Sequence, residues 1–121
     1  MISGGNATIH VSDMDQAVRF YTETLELALV FRAGNHWATV DAGAGLQLGL
    51  HPAGPSTPAP GSTGAITIGL AVDQPLEDVV AVLVERDVVV HSPIREDGTI
   101  RLVFISDPDG NQLYLAEPSS P

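Results

Sequence analysis

The sequence predicts an α+β fold of two tandem βαβββ modules, which form a curved mixed sheet around a cavity with the helices on the outer face. Two observations support this fold class. The predicted order of strand, helix and three strands occurs twice along the 121 residues. The junction between first strand and helix is also similar in the two halves, with Val11-Ser12-Asp13 in one and Val72-Asp73 in the other. Because a single half would leave one sheet face uncovered, we expect the halves to pair.

A segment of low complexity separates the halves. Residues 52–64 are built only from Pro, Ala, Gly, Ser and Thr, a composition typical of a linker or a mobile flap. We therefore expect a single domain over residues 1–121. Its modules occupy about 1–51 and about 65–121.

The first module begins with a strand at about Ala7–Val11. Asp13 and Gln16 have the spacing of a capping box, which predicts the start of a helix. Apolar residues then recur every three or four positions and form one stripe: Met14, Ala17, Val18, Tyr21 and Leu25. Three strands are predicted next, near Leu27–Ala33, His36–Asp41 and Leu46–His51.

The second module repeats this order. A strand at Ala65–Val72 leads into a helix that Asp73 is expected to cap, with Pro75 in its first turn. The buried stripe of this helix is predicted to contain Leu76, Val79, Val80 and Leu83.

Three further strands complete the second module. The first is Val88–Val90, and a hairpin follows with Asp97-Gly98 as its turn and Ile100–Ile105 as its returning strand. Residues 107–110, Asp-Pro-Asp-Gly, suit a type I turn. The last strand is Gln112–Ala116.

The charge of the chain restricts its partners. Fifteen acidic residues against five basic ones give a formal net charge of −10, which excludes the basic footprint that nucleic acids require. The charge either attracts a cationic small molecule or simply keeps the protein soluble. The sequence has no apolar segment of membrane-spanning length, and its start lacks the basic region and apolar run typical of a signal peptide. We therefore expect a cytoplasmic protein without a membrane partner. The lack of cysteine excludes disulfides and thiolate chemistry.

Two motifs carry a resemblance to a known family. Residues 11–25 match the pattern V-x-D-x-x-x-A-x-x-F-Y-x-x-x-L, and residues 107–115 match D-P-D-G-N-x-x-x-L. In order and spacing, the chain resembles the vicinal oxygen chelate superfamily. That superfamily includes glyoxalase I, bleomycin-resistance proteins and extradiol dioxygenases. The motifs are structural and carry no chemistry, so function must be argued from the site.

Side chains alternate between the two faces of a strand, so the pattern also predicts which residues line the cavity. Apolar residues such as Ile9, Leu48 and Leu113 are expected in the core, and their neighbours point away from it. Phe104 fits either side. The predicted ligand-binding residues are Asn6, Thr8, His10, Trp37, Gln47, His51, Thr67, Phe104, Gln112 and Tyr114.

The resemblance also implies where a metal would be held in the metal-dependent members. The corresponding positions are occupied by Asn6, by Gln47 or Gly49, by Thr67 and by Tyr114. These are weak ligands for zinc, nickel or iron, so we expect no metal and no cofactor. His10 and His51 leave open a shifted two-histidine site, or they are hydrogen-bonded wall residues.

Three functions are consistent with the sequence. The first is a metal-free protein that sequesters an aromatic or cationic small molecule, as a homodimer, similar to the bleomycin-resistance proteins and their role in antibiotic resistance. The second is a glyoxalase- or dioxygenase-like enzyme in which His10 or His51 acts as a base. The third is an interaction module whose cavity is vestigial.

Overall fold

Each half of the chain folds as a βαβββ module with its own mixed sheet, which confirms the predicted fold class. The computed structural model describes residues 1, 6–62, 67–97 and 100–118. It divides into two units, Met1–Ser62 and Thr63–Pro121. That both belong to one domain, and that their sheets line a common cavity, stays a prediction.

In its described residues, the first unit contains four strands and one helical segment. Its elements are β1 (Ala7–Val11), α1 (Met14–Arg19) with a π-helical turn (Phe20–Thr24), β2 (Ala28–Ala33), β3 (Trp37–Gly43) and β4 (Leu46–Pro52). The sheet order is β1-β4-β3-β2, with β1 parallel to β4 and the other neighbours antiparallel. The first strand has the bounds that the sequence predicts.

The second unit repeats this topology. Its elements are β5 (Thr67–Ala71), α2 (Leu76–Glu85), β6 (Val89–Val90), β7 (Arg95–Asp97), β8 (Ile100–Ser106) and β9 (Gln112–Pro118). The order is β5-β9-β8-β6, and β7 pairs with β8 as well. Strands β6 and β7 are therefore two parts of one edge. Residues 65, 66 and 98 of the predicted strand and hairpin turn lie outside the described ranges.

The core of each unit lies between its helix and one face of its sheet. In the first unit α1 packs against β3 and β4, and its Met14, Ala17 and Val18 are buried. The sheet residues of this core are fully or almost fully buried: Ile9, Val11, Ala38, Val40, Leu48 and Leu50. In the second unit α2 packs against β6 and β9. Its core contains Ile68, Leu76, Leu83, Val103, Ile105, Leu113 and Leu115.

The two helices begin by different means. The Asp13 side chain accepts a hydrogen bond from the Gln16 backbone N–H at 3.0 Å, as the capping box predicts. The predicted Asp73 cap is wrong, because α2 begins two residues later, with Pro75 at the N-cap and no side-chain cap. The carboxylate of Glu117 instead accepts the Leu76 backbone N–H at 3.1 Å. A contact from a distant strand therefore replaces the local one.

The segment that follows β4 is a series of turns. The Ala53 N–H donates to the Val11 carbonyl at 2.9 Å and holds the start of the segment against β1. Turns are then closed by the N–H groups of Thr57 and Ser62. The predicted linker begins one residue later than expected, since Pro52 ends β4. Residues 63 and 64 lie outside the described ranges, and a role as a flap stays a prediction.

The turn before β9 forms as the sequence predicts. The Gly110 N–H donates to the Asp107 carbonyl at 3.0 Å, and Gly110 has a φ of 87°. The buried Asp107 carboxylate accepts the backbone N–H groups of Asp109 and Asn111, at 3.0 and 2.8 Å. These bonds fix where β9 starts.

Within the described ranges, no helix is both long and apolar enough to cross a membrane.

Arg101 on β8 connects three elements of the second unit. Its guanidinium pairs with Glu117 at 2.9 Å, with Glu96 at 3.2 Å and, in closer contact, with Glu77 at the start of α2. The hydrogen bond from Arg101 lowers the pKa of Glu77, and the same bond raises the pKa of Arg101. The cluster ties the first turn of α2 to β7, β8 and β9.

We predict that Arg101→Met lowers stability at pH 7 and makes it less dependent on acid pH. The folded pKa of Glu77 lies below its ordinary value of 4.5. The contribution of Glu77 to the free energy of unfolding is therefore fully present above that value and is lost as pH falls through the folded pKa. Urea unfolding at pH 7, 4 and 3 measures this. Arg19→Met, a matched loss of charge on α1, should change the acid dependence much less, because Arg19 is the smallest of the causes that lower the pKa of Asp15. If the stability of Arg101→Met depended on acid pH as strongly as that of the wild type, the prediction would be wrong.

Candidate functional site

The sheet face opposite the helix, called here the helix-free face, gathers the predicted ligand-binding residues of the first unit. Burial of Ile9 and Leu50 beneath α1 turns their neighbours His10 and His51 to the other side, because side chains alternate along a strand. Six of the predicted residues lie on this face: Asn6, Thr8, His10, Trp37, Gln47 and His51. The hydroxyl of Thr8 donates to the side-chain oxygen of Asn6 at 3.2 Å.

Trp37 covers the centre of this face. A Cβ atom on Gly49 would lie 2.2 Å from Cη2 of Trp37 and 2.5 Å from Cζ2, so the ring requires a glycine beneath it. The indole Nε1–H donates to the Thr39 hydroxyl at 2.7 Å, which fixes the orientation of the ring. Trp37 is half-buried in this position. An oriented aromatic surface results.

Two histidines lie close together on this face, and one of them neighbours the Trp37 ring. His10 and His51 are register partners on the parallel strands β1 and β4, and their ring centroids are 5.7 Å apart. His51 also lies 6.2 Å from Trp37. Its Nδ1 is 2.7 Å from the Pro52 carbonyl oxygen. Because a carbonyl oxygen only accepts, Nδ1 carries the hydrogen, and Nε2 bears the lone pair of the neutral ring.

The helix-free face of the second unit has the same construction. A Cβ atom on Gly69 would lie 2.2 Å from Cζ of Tyr114, its register partner, so a ring again covers a glycine. Phe104 is half-buried and lies 5.9 Å from Tyr114, centroid to centroid. This places Phe104 on the helix-free face, since its neighbours Val103 and Ile105 are buried beneath α2. The remaining predicted residues of this unit, Thr67 and Gln112, pair with each other.

Two residues of these faces escaped the sequence prediction. Phe31 pairs with Thr39 on the helix-free face of the first unit and is 57% exposed. A register shift between Leu29 and Phe31 breaks the alternation that would have identified it. Arg95 lies over the Phe104 ring at 5.9 Å. It belongs to a three-residue strand that the sequence pattern did not resolve.

A polar pair lies at the edge of the second sheet, between His91 and Ser106. The Nε2 atom of His91 is in close contact with the Ser106 hydroxyl, and the His91 N–H donates to the Phe104 carbonyl at 2.9 Å. Ser106 is only 8% exposed. The pair therefore ties the interrupted edge to β8 and does not present a nucleophile to solvent.

The residues at the inherited metal-ligand positions do not fit a metal site. Gly49 pairs with Thr8 and Thr39, and Tyr114 pairs with Gly69 and Phe104 in the same arrangement. Gly49 therefore corresponds to Tyr114, which is one of the positions where the resemblance implies a metal ligand. Gly49 has no side chain, and the Trp37 ring fills the space above it. Among the described residues, no group of three or more His, Cys, Asp or Glu could hold a metal ion.

Comparisons with known proteins agree with this architecture. Residues 5–115 match the model of the Glyoxalase/Bleomycin resistance protein/Dioxygenase superfamily. The solved structure of TnmS3, an antibiotic binding protein from Streptomyces sp. CB03234, is 32% identical, with a TM-score of 0.81 and 98% of each chain covered.

Two further solved structures extend the comparison. A superfamily member from Sphaerobacter thermophilus DSM 20745 is 32% identical, with a TM-score of 0.80 and coverage of 97% of this chain and 98% of that one. A glyoxalase/bleomycin resistance protein from Streptomyces sp. CB03234 is 33% identical, with a TM-score of 0.70 and coverage of 92% and 98%. Curated protein sequences gave no match. The chain therefore belongs to the glyoxalase/bleomycin resistance protein/dioxygenase superfamily.

Proposed function

We propose that the chain is a metal-free binding protein that sequesters a planar aromatic small molecule on its helix-free faces. The observation that carries this proposal is that an aromatic ring covers a glycine on the helix-free face of each sheet. The two pairs are Trp37 over Gly49 and Tyr114 over Gly69. Both rings are half-buried, so part of each ring surface remains accessible.

Such a surface suits a flat ligand with few polar groups. Stacked or edge-to-face aromatic pairs contribute about 0.5–1.5 kcal/mol beyond the burial of their area. The polar side chains beside the rings, Thr8, His10 and Gln112, can orient a ligand by hydrogen bonds. The antibiotic-binding activity of the similar protein TnmS3 supports an antibiotic as the ligand. The net charge of −10 favours a cationic ligand only through long-range attraction.

An enzymatic function is supported less well. A general base usually needs a partner that orients its ring and stabilises its charged form. The Nδ1–H of His51 is directed to a backbone carbonyl and not to a carboxylate. A binding protein releases its ligand chemically unchanged, whereas an enzyme converts it.

Metal analysis of the purified protein and recovery of the intact ligand after binding therefore distinguish the two functions.

A homodimer is part of this proposal. Strand β2 lies at the edge of its sheet, and three consecutive apolar residues on it, Leu29, Val30 and Phe31, are 48%, 53% and 57% exposed. An exposed apolar edge strand is a template for pairing with another chain.

We predict that light scattering gives a mass of twice 12.7 kDa for the wild type. The substitution Val30→Lys should lower that mass, because it places a charge on the edge. A monomeric wild type would contradict the dimer.

Replacement of Tyr114 should test the aromatic surface directly. The neutral fluorescent probe N-phenyl-1-naphthylamine can be titrated into the wild type, Tyr114→Leu and Tyr114→Phe. Loss of the ring in Tyr114→Leu should weaken binding by about 3- to 10-fold, from the magnitude of aromatic pairing. Tyr114→Phe keeps the ring and should bind as the wild type does. Equal affinity in all three proteins would argue against the surface.

A methyl group on Gly49 should displace the Trp37 ring. We expect Gly49→Ala to shift the fluorescence of Trp37, the single tryptophan, to longer wavelength, and to weaken binding of the same probe. Overpacking of this kind lowers stability by about 1–3 kcal/mol. Gly54→Ala is the matched control, because nothing lies within 4 Å of a Cβ there. Unchanged emission and binding in Gly49→Ala would show that the ring does not depend on the glycine.

A further inference from the structure

We propose that Arg95 binds an acidic group of the ligand, so that the ligands of this protein are planar aromatic anions. This inference rests on the proposed function and specifies its ligand class. It differs from what the net charge of −10 suggests, which is a cationic ligand.

Strand alternation places Arg95 on the helix-free face of the second unit. Glu96, the next residue, faces the helix side and pairs with Arg101 at 3.2 Å. Arg95 pairs in register with Leu102 and lies over the ring of Phe104, with Cζ 5.9 Å from the ring centroid. Because side chains alternate along the strand, Arg95 and Glu96 lie on opposite faces of the sheet. The carboxylate of Glu96 is therefore directed away from Arg95.

Arg95 ends a row that crosses four strands. Phe104 is the register partner of Tyr114, and Tyr114 is the register partner of Gly69, which it covers. The row thus consists of a guanidinium, two aromatic rings and a glycine. A flat ligand on the two rings would place its end beside the guanidinium. A cation over a ring within about 6 Å is held by the quadrupole of that ring, which positions Arg95 before a ligand binds.

Arg95 also differs from other arginines in its partners. Arg32 pairs with Asp15 at 2.5 Å, and Arg101 pairs with three glutamates. Among the residues that the structure describes, Arg95 forms no ion pair, and its guanidinium lies over the Phe104 ring.

A guanidinium presents N–H groups in a planar fork that matches carboxylate, sulfonate or phosphate oxygens. Its local attraction acts at contact distance. The repulsion between an anionic ligand and the acidic residues of the protein acts over longer distances, and salt screens it beyond about 8 Å at physiological ionic strength.

Two dyes with nearly the same ring system test this inference. 1-Anilinonaphthalene-8-sulfonate carries a sulfonate that N-phenyl-1-naphthylamine lacks. Both are titrated at 0.15 M salt, an ionic strength at which the Debye length is about 8 Å, into the wild type and Arg95→Gln. The matched control is Arg19→Gln, which makes the same change of charge on α1, where Arg19 is exposed. Thermal unfolding checks that each variant is folded.

We expect Arg95→Gln to weaken binding of the sulfonate dye by roughly 10-fold, the range of hydrogen bonds to charged groups. Arg95→Gln should change the affinity for the neutral dye by less than about 2-fold, because that dye has no charged group to lose a hydrogen bond. Arg19→Gln should change the affinity for either dye by less than about 2-fold, because Arg19 lies on α1 and not on a helix-free face. If Arg95→Gln lost the same affinity for both dyes, Arg95 would only support the rings, and the inference would be wrong. It would also be wrong if Arg95→Gln lost affinity for neither dye. In both cases the proposed function stands. If the wild type binds neither dye, both proposals fail.

Discussion

Alternation along the strands, imposed by the helix on one face of each sheet, is the constraint on which the rest of the structure depends. Ile9 and Leu50 can be buried under α1 only if His10 and His51 face the other way. In the second unit, the burial of Val103 and Ile105 has the same effect on Phe104. The apolar core therefore determines which side chains are available to a ligand, even though it makes no contact with one.

Glycine converts these faces into aromatic surfaces. A side chain at Gly49 or Gly69 would occupy the space where the ring of Trp37 or Tyr114 now lies. Gly49 also offers no side-chain ligand atom to a metal ion. The same residue therefore leaves room for the Trp37 ring and provides no side-chain ligand at that point of the face.

The sequence predicts the features that local interactions determine. The Asp13 cap and the turn at Asp107 depend on neighbours within four residues, and both form as predicted. The Asp73 cap fails because Glu117, distant in sequence, satisfies the start of α2. Phe31 escaped prediction because a register shift interrupts the period of two in β2. Arg95 escaped because its strand has three residues, too few for a periodic pattern.

The proposed function requires that aromatic ligands bind to the helix-free faces. Amide chemical shifts of the ¹⁵N-labelled protein, measured during titration with 1-anilinonaphthalene-8-sulfonate, locate the bound ligand residue by residue. We expect the largest chemical-shift changes at Thr39 and Gly49 in one unit, and at Gly69 and Phe104 in the other. The helices α1 and α2 should change little, since they pack on the opposite faces. Changes concentrated in the helices, with the two glycines unaffected, would show that aromatic ligands do not bind to the helix-free faces.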